Sequence, residues 1–257
     1  MKTRITVIAN QKGGVGKTTT AHALANGLIR RGLKALAVDI DPQGNLSYTM
    51  RASPDAPGIY EAMKGIVGAR EALQQTEQGD MIAGSLMLSG ADMEFTDTGR
   101  EYILRKLLKP LREMYEYIVI DSPPTLGILT INALAASSDI IIPLGADAYS
   151  LQGLAQLNAT IGKVKEYCNP SLTIAGLLIT RYSGRTVLGR DMKEVIEEKA
   201  RTIGARAYDA VIRESVAIRE AQVRQESLYA ADQMSNAAQD YQAFIDEYLA
   251  GGAGGHE

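Results

Sequence analysis

A glycine-rich run near the start of the chain has the residue types that bind phosphate. It follows an apolar segment that ends at Ala9 and consists of Lys12, Gly13, Gly14, Val15, Gly16, Lys17, Thr18 and Thr19. Small residues let successive backbone N–H groups converge on phosphate oxygens, and a helix that begins after the loop adds the positive end of its dipole. Lys17 then supplies a charge for the β- and γ-phosphates, and the Thr18 hydroxyl is placed to ligate Mg²⁺. The run predicts a phosphate-binding P-loop.

Aspartates follow two further apolar runs. Asp39 and Asp41 come at the end of the run 35–40, and Asp121 comes after the run 117–120. Carboxylates at strand ends that face bound phosphates can act on water or hold Mg²⁺ through its water shell. A single aspartate at such a place is also compatible with a helix cap. The loop and the two acidic segments, in this order, favour a nucleotide site over isolated caps.

Apolar runs alternate with helical patterns along the chain. Strands are predicted over 5–9, 35–40, 117–121, 140–144 and 173–180, and helices over 18–31, 99–115, 125–136, 150–167 and 189–201. Continuous apolar strands separated by helices indicate a parallel sheet that is covered on both faces. We therefore expect an α/β fold with a doubly wound, mostly parallel sheet and helices on both faces.

The alternation predicts a single domain over residues 1–250 and a disordered tail over 251–257. Over 50–98 only short helices are predicted. An apolar stripe at helical spacing near the C-terminus comprises Tyr241, Phe244, Ile245, Tyr248 and Leu249. Because the opposite face of that helix is acidic, we expect the stripe to pack into the core rather than onto a membrane.

Length and composition limit the class of protein. A chain of 257 residues, of which 46% are apolar, is long enough for one large α/β domain with a full core. No apolar run reaches the roughly 18 residues of a membrane span, and an N-terminus that enters a strand at once leaves no room for a signal peptide. The single cysteine, Cys168, excludes an internal disulfide framework and a cysteine-ligated cluster. We expect a cytoplasmic protein that does not bind membranes.

Charge is distributed unevenly, although the net charge is only −3. Residues 1–50 carry seven basic and two acidic groups, and residues 181–224 carry ten basic and seven acidic groups. The tail 225–257 carries six acidic groups and no Lys or Arg. Such asymmetry either focuses a positive field within an acidic protein or reflects ordinary solvated helix faces.

The loop departs from the usual P-loop spacing. Gln11 stands where the first glycine is expected, and Lys12 precedes the double glycine. The run resembles the deviant Walker A motif of the ParA/MinD superfamily of P-loop ATPases, in which the extra lysine reaches across an ATP-sandwich dimer to the partner's phosphates. The resemblance implies that role for Lys12, an ATP-dependent homodimer, and an ATP hydrolase with ATP and Mg²⁺ as its cofactors.

The resemblance extends to the acidic segments. The segment 39–45 is similar to the family's first switch, which implies that Asp41 positions the attacking water and that Asp39 supports the magnesium waters or the P-loop lysine. The segment 121–124 resembles the Walker B and second switch segment, which implies that Asp121 holds Mg²⁺. The implied catalytic residues are Lys12, Lys17 and Asp41. The implied metal-site residues are Thr18, Asp121 and Asp39.

Within the superfamily, the chain is most similar to the ParA/Soj-type partition ATPases. Nitrogenase iron proteins and iron–sulfur scaffold ATPases need cysteines that this chain lacks. The MinD branch anchors through a basic amphipathic C-terminal helix, whereas the tail here is acidic. The segments that resemble ParA/Soj are 10–11, 39–45, 121–124, 127–134 and 179–189. The chain resembles the short Soj-like type, without a helix-turn-helix domain of its own.

The ParA/Soj resemblance implies a dimer that binds DNA non-specifically on the nucleoid and a DNA-bound, ParB-like protein that stimulates hydrolysis. Arg185 matches a family position whose arginine contacts DNA. Ala217 stands where the family often has another such arginine, and Arg213 replaces a proline that usually lies near the adenine. Arg213 and Arg219 are further candidates, since phosphate contacts tolerate changes of position, but they are equally compatible with ordinary surface charges.

Two other functions stay open. A ParA-like ATPase that positions a protein cargo would dimerise with ATP but would not bind DNA. A P-loop small-molecule ligase or kinase, similar to the fold-related dethiobiotin synthetases, would need a metabolite co-substrate. Lys12 and the segment around Asp41 disfavour this last function, because they serve a dimeric hydrolase.

Overall fold

The computed structural model describes residues 3–252, and one eight-stranded sheet runs through its centre. The strands are β1 (Arg4–Ile8), β2 (Ala35–Asp39), β3 (Leu73–Thr76), β4 (Gly79–Ile82), β5 (Tyr117–Asp121), β6 (Asp139–Gly145), β7 (Thr173–Tyr182) and β8 (Ala207–Arg213). Their spatial order is β3-β4-β2-β5-β1-β6-β7-β8. All neighbouring strands are parallel except β3 and β4, which form an antiparallel hairpin. The predicted doubly wound, mostly parallel sheet is confirmed.

Helices connect the strands and cover both faces of the sheet. They are α1 (Lys17–Arg30), α2 (Asn45–Thr49), α3 (Ile59–Met63), α4 (Ala91–Glu94), α5 (Ile103–Leu108), α6 (Ile128–Ala136), α7 (Ala148–Tyr167), α8 (Val187–Thr202), α9 (Val216–Arg224), α10 (Leu228–Ala231) and α11 (Asn236–Gly252). Short 3₁₀ turns lie at Leu86–Gly90, Arg100–Tyr102 and Lys109–Leu111. Within the described residues, no helix is long and apolar enough to cross a bilayer.

Along each strand, side chains point alternately to the two faces of the sheet, and a hydrophobic core lies on each face. Ile118 and Ile120 of β5 belong to one core, and Val119 between them belongs to the other. The first core lies under helices α5, α6 and α7, and the second lies under α1 and α11. Since both faces of the central strands are buried, their sequences are apolar throughout, which is why the sequence pattern identified them.

Four parts of the chain differ from the prediction. The hairpin β3–β4 lies where only short helices were predicted, and β8 was not predicted at all. Each of these includes an edge strand of the sheet and lacks the continuous apolar run that marks a doubly buried strand. The helix predicted over 99–115 is shorter, because Pro110 lies in a 3₁₀ turn and cannot donate a helical hydrogen bond. Residues 251 and 252 continue α11, and the rest of the predicted tail, 253–257, lies outside the described residues.

The C-terminal helix packs into the core as predicted. Phe244, Ile245 and Tyr248 of α11 are completely buried, and Phe244 meets the ring of Tyr208 edge-on with 4.8 Å between centroids. Helix α1 approaches α11 at Gly27, where an added Cβ would lie 2.2 Å from the Ile245 side chain. A glycine at this crossing allows the two helices to come close together.

We expect Phe244→Ala to destabilise the protein by about 3–5 kcal/mol, because it removes a completely buried aromatic side chain and leaves a cavity. The matched control is Met234→Ala, since Met234 is 77% exposed and its loss should cost about 0.5 kcal/mol or less. Urea unfolding followed by circular dichroism measures both values. Equal stability of the two variants would contradict the packing of α11 described above.

Candidate functional site

The glycine-rich loop joins the carboxyl end of β1 to the start of α1. Gly14 and Gly16 have φ angles of 74° and 82°, in the left-handed region that favours glycine. Gly16 is also the residue that precedes α1, and no side chain caps the helix there. The first N–H groups of α1 and the amides of the loop are therefore available for an anion.

Neighbouring strand ends hold the loop in place. The Thr180 hydroxyl, near the end of β7, donates to the carbonyl of Val15 at 2.9 Å. The Asn10 side chain donates to the carbonyl of Pro143 in β6 at 2.7 Å and accepts from the backbone N–H of Lys12 at 3.0 Å. The loop conformation is thus fixed by β6 and β7 as well as by its own glycines. Asn10 and Thr180 both lie in segments that the sequence had singled out, 10–11 and 179–189, although neither residue was given a role there.

Lys17 is buried beside the loop. Its ammonium donates to the carbonyl of Lys12 at 3.0 Å, and the residue is 7% exposed. Burial lowers its pKa, while the carboxylates of Asp121 and Asp41 act in the opposite direction. One of the three N–H groups of Lys17 thus has a protein acceptor, which leaves the others for a phosphate.

Lys12 is engaged by its own chain. Its ammonium lies 2.6 Å from a carboxylate oxygen of Asp147 and 3.4 Å from the hydroxyl of Ser150. Asp147 also caps α7 by accepting from the backbone N–H of Ser150 at 3.1 Å. The Lys12 side chain is 33% exposed. This ion pair is partly solvated, so its exchange for another anion costs little.

Asp39 and Asp41 organise the segment after β2. The carboxylate of Asp39 accepts from the backbone N–H of Asp41 at 3.0 Å, and from the backbone N–H and hydroxyl of Ser47 at 2.9 and 2.7 Å. Burial raises the pKa of Asp39 to about 6, although these hydrogen bonds oppose the shift. Asp41 is 6% exposed, and its Oδ1 accepts from the backbone N–H of Gln43 at 3.0 Å. Its Oδ2 has no hydrogen-bond partner among the described residues.

Asp121, at the end of β5, is a buried carboxylate without a partner. Both of its oxygens are inaccessible and complete no hydrogen bond within the described residues. Burial and the neighbouring charge of Asp39 raise the pKa of Asp121, although the nearby Thr18 hydroxyl and Lys17 ammonium favour its charged form. An unsatisfied buried carboxylate is costly. Asp121 and Thr18 would hold a hydrated magnesium ion, whose water shell and positive charge would supply what this carboxylate lacks, so the residues present fit the metal.

An open cleft of about 840 Å³ begins at the glycine-rich loop. Such a volume suits a nucleotide-sized ligand. One wall includes Gly13, Gly14, Gly16, Lys17, Thr18, Thr19 and Asp41. A second wall includes Ile212, Arg213, Glu214, Ser215, Ile218, Arg219, Gln222 and Val223, and it meets the first where the Gln222 amide donates to the Thr19 hydroxyl at 3.2 Å. We call this second wall, residues 212–223, the C-terminal wall. It consists of the end of β8 and most of α9.

The three arginines that the sequence singled out have different surroundings. Arg185 is exposed in the turn between β7 and α8, and Arg219 is exposed on α9. Neither makes an ion pair within residues 3–252. Arg213 instead forms a bidentate ion pair with Asp240 of α11, with 2.7 Å between Nη2 and Oδ1 and 2.9 Å between Nε and Oδ2. The charge of Arg213 is therefore already neutralised by Asp240.

Arg181 is a cleft residue that sequence reasoning missed. It follows Thr180, has a φ angle of 52°, and places Nη1 3.5 Å from the carbonyl of Gly14. Its other nitrogen, Nη2, lies 3.8 Å from Glu214 on the C-terminal wall. Arg181 thus bridges the glycine-rich loop and the C-terminal wall. It lies in the segment 179–189 that resembles ParA/Soj, but within that segment the sequence pointed only to Arg185.

Comparison with known proteins identifies the family. The family model for the AAA domain matches residues 3–174. The sporulation initiation inhibitor protein Soj of Bacillus subtilis is 37% identical over 254 residues, which cover 97% of this chain and 99% of that protein. The chromosome partitioning protein ParA of Myxococcus xanthus is 39% identical over 222 residues, covering 84% and 77% of the two chains.

A solved structure is similar to this chain in fold. It is described as cobyrinic acid a,c-diamide synthase from Mycobacterium smegmatis with a bound ATP analogue and magnesium. It is 32% identical, has a TM-score of 0.82, and the match covers 99% of this chain and 97% of that one. The matched family model, the identity to Soj and ParA and the shared fold lead to one conclusion. The chain belongs to the ParA/Soj family of AAA-domain proteins.

Proposed function

We propose that the chain is a magnesium-dependent ATPase of the ParA/Soj type that partitions a plasmid or chromosome. In this proposal it forms an ATP-dependent sandwich dimer, binds DNA non-specifically and responds to a DNA-bound, ParB-like partner. The proposal rests above all on the buried carboxylate of Asp121, which has no hydrogen-bond partner within residues 3–252 and lies near Lys17 and Asp41, two residues that line a nucleotide-sized cleft. Curated relatives named for chromosome partitioning support the biological part of the proposal.

In the proposed cycle, the residues of the loop bind the triphosphate. The loop amides and Lys17 hold the β- and γ-phosphates, and Thr18 and Asp121 hold the hydrated metal between them. Magnesium, when bound, neutralises charge that develops on the phosphoryl oxygens. Asp39 acts on this site indirectly, since its hydrogen bonds to Asp41 and Ser47 fix the segment after β2. The ATP analogue and magnesium in the Mycobacterium smegmatis structure support this choice of ligands.

Asp41 is the residue that we assign to the attacking water. Its Oδ1 is held by the N–H of Gln43, so the carboxylate is oriented, and its Oδ2 is left to accept a hydrogen bond from water. Orientation of water and stabilisation of charge are sufficient for phosphoryl transfer, which needs little covalent help from the protein.

Lys12 is the residue that we assign to the dimer. In the single chain its ammonium is paired with Asp147. Exchange of this exposed pair for the phosphates of a facing subunit replaces one carboxylate by a more highly charged anion, and this favours association when ATP is bound. ATP hydrolysis removes the γ-phosphate and with it part of that attraction.

For the DNA-binding part of the proposal, Arg185 and Arg219 are the available charges. Both side chains are exposed, and neither is paired with a carboxylate in residues 3–252. Arg213 contributes less to DNA in this proposal, because Asp240 already neutralises it. The proposal places the protein in the cytoplasm, on the nucleoid.

Two alternatives are kept. A ParA-like ATPase that positions a protein cargo would dimerise with ATP without binding DNA. A ligase that uses a metabolite gains some support from the synthase name of the Mycobacterium smegmatis structure. ATP turnover that requires a small-molecule co-substrate would favour the ligase, and turnover without one favours the ATPase.

We expect Lys17→Ala to weaken ADP and ATP binding by about 100-fold or more, because it removes the buried cation of the phosphate site. The matched control, Lys12→Ala, should bind ADP within about threefold of wild type, since Lys12 is paired with Asp147 in the single chain. The same control should not dimerise with ATP. Isothermal titration calorimetry and light scattering measure the two effects. A Lys12→Ala protein that dimerises normally would remove Lys12 from the interface.

Asp41→Ala should bind ATP and dimerise but hydrolyse it at least about 100-fold more slowly, because the attacking water loses its oriented acceptor. Asp55→Ala, at an exposed loop position, serves as the control and should turn over ATP normally. Phosphate release under single-turnover conditions gives both rates. Hydrolysis by Asp41→Ala at the wild-type rate would refute the assignment of Asp41.

DNA co-sedimentation at several salt concentrations tests the partition function. With ATP we expect the wild type to pellet with duplex DNA and to lose affinity steeply as salt rises, and with ADP we expect little binding. Arg185→Ala should weaken binding and reduce the salt slope by about 1. Arg70→Ala, an exposed arginine on a different part of the chain, is the control. Absence of binding in every nucleotide state would favour the protein-cargo alternative.

A further inference from the structure

Strand β8 is an edge strand of the sheet, and carboxylates of α11 accept hydrogen bonds from its backbone N–H groups. Glu247 accepts from the backbone N–H groups of Asp209 and Ala210 at 2.9 and 2.7 Å. Two helical turns earlier, Asp240 accepts from the backbone N–H of Arg213 at 2.9 Å. Helix α11 thus binds the strand at two places, one in the middle of β8 and one at its last residue.

The contact at Asp240 is the more elaborate of the two. Besides the backbone bond, the Asp240 carboxylate accepts from Nε of Arg213 at 2.9 Å and from Nη2 at 2.7 Å. The Asp240 side chain is only 12% exposed, and its hydrogen bonds raise the pKa of Arg213. A carboxylate that takes three donors from one residue fixes both the backbone and the side chain of that residue.

This contact lies where the C-terminal wall begins. Arg213 ends β8, and after it Ser215 caps α9, whose residues Ile218 and Gln222 line the cleft. The sheet holds one side of this end, since Arg213 is paired with Tyr182 of β7, although the register between Ile179 and Tyr182 is irregular. The ion pair with α11 supports the same residue from the other side and fixes its side chain as well.

A nucleotide in the cleft extends from the loop to this wall. Its phosphates lie at residues 12–19 in the proposed function, which leaves the rest of the cleft for its nucleoside, and residues 212–215 form a continuous part of that lining. Asp240 is not among the residues that line the cleft. Its effect on a nucleotide is thus exerted through Arg213 and the position of the wall.

We propose that Asp240 is a positioning residue for the nucleoside half of the bound nucleotide, acting through its ion pair with Arg213. The inference rests on the proposed binding of ATP in this cleft. In this inference α11 positions the nucleoside, whereas the loop binds the phosphates.

Two variants of α11 test this assignment. Asp240→Ala removes the support at the wall, and Glu247→Ala removes the corresponding support in the middle of β8, away from the cleft. Alanine favours helix at both sites, so α11 should be retained. For each protein, the affinities for ADP and for magnesium pyrophosphate, which lacks a nucleoside, are measured by calorimetry together with kcat and KM for ATP.

Asp240→Ala should weaken ADP binding and raise KM about tenfold, with unchanged affinity for pyrophosphate and kcat within about twofold. Arg213→Lys, which keeps the charge but not the bidentate geometry, should reproduce this loss. Glu247→Ala should bind both ligands as the wild type does, even if its melting temperature falls.

If Asp240→Ala bound ADP with wild-type affinity, the inference would be overturned. It would also be overturned if Glu247→Ala lost as much ADP affinity as Asp240→Ala, or if Asp240→Ala lost as much affinity for pyrophosphate as for ADP. A wild-type protein that binds neither ADP nor ATP would instead refute the proposed function itself.

Discussion

Two carboxylates lie side by side in the core, at the carboxyl ends of two neighbouring central strands near the cleft. Asp39 and Asp121 are register partners at the ends of β2 and β5, and both are completely buried. Burial raises the pKa of both carboxyl groups, and the charge of Asp39 raises the pKa of Asp121 further. Asp39 is compensated by Asp41 and Ser47, whereas the oxygens of Asp121 accept no hydrogen bond within the described residues. The buried ammonium of Lys17 favours the charged form of Asp121 and so offsets part of this imbalance.

Such a site requires a rigid frame, because buried charges tolerate little displacement. The double-sided sheet provides it. Strand β1 lies between β5 and β6 in the centre, and the loop that leaves it is tied to β6 and β7 through Asn10 and Thr180. The cores on both faces keep these strand ends in register, and the Gly27 crossing brings α11 against α1, the helix that follows the loop. Packing far from the cleft therefore determines the geometry within it.

The two halves of the cleft come from different parts of the sequence. The loop, the segment after β2 and Asp121 fall within residues 3–174, which the family model matches. The C-terminal wall and its support on α11 fall beyond that range. The phosphate-binding half depends on backbone amides and fixed carboxylates, and the opposite half depends on an edge strand, a short helix and a surface ion pair. The second half is thus easier to alter without loss of the first.

The sequence alone determined the central strands, the P-loop and the order of the acidic segments, because continuous apolar runs and a glycine loop with two lysines are local signals. It also determined that Tyr241, Phe244 and Tyr248 face the core. It did not reveal β8 or the hairpin β3–β4, since edge strands lack the apolar run of buried ones. Only the tertiary structure brought Arg181 to Gly14, paired Lys12 with Asp147, and joined Arg213 to Asp240, a residue 27 positions away. Those contacts join residues distant in the chain, and no local pattern of residue types specifies which of many charged side chains will meet.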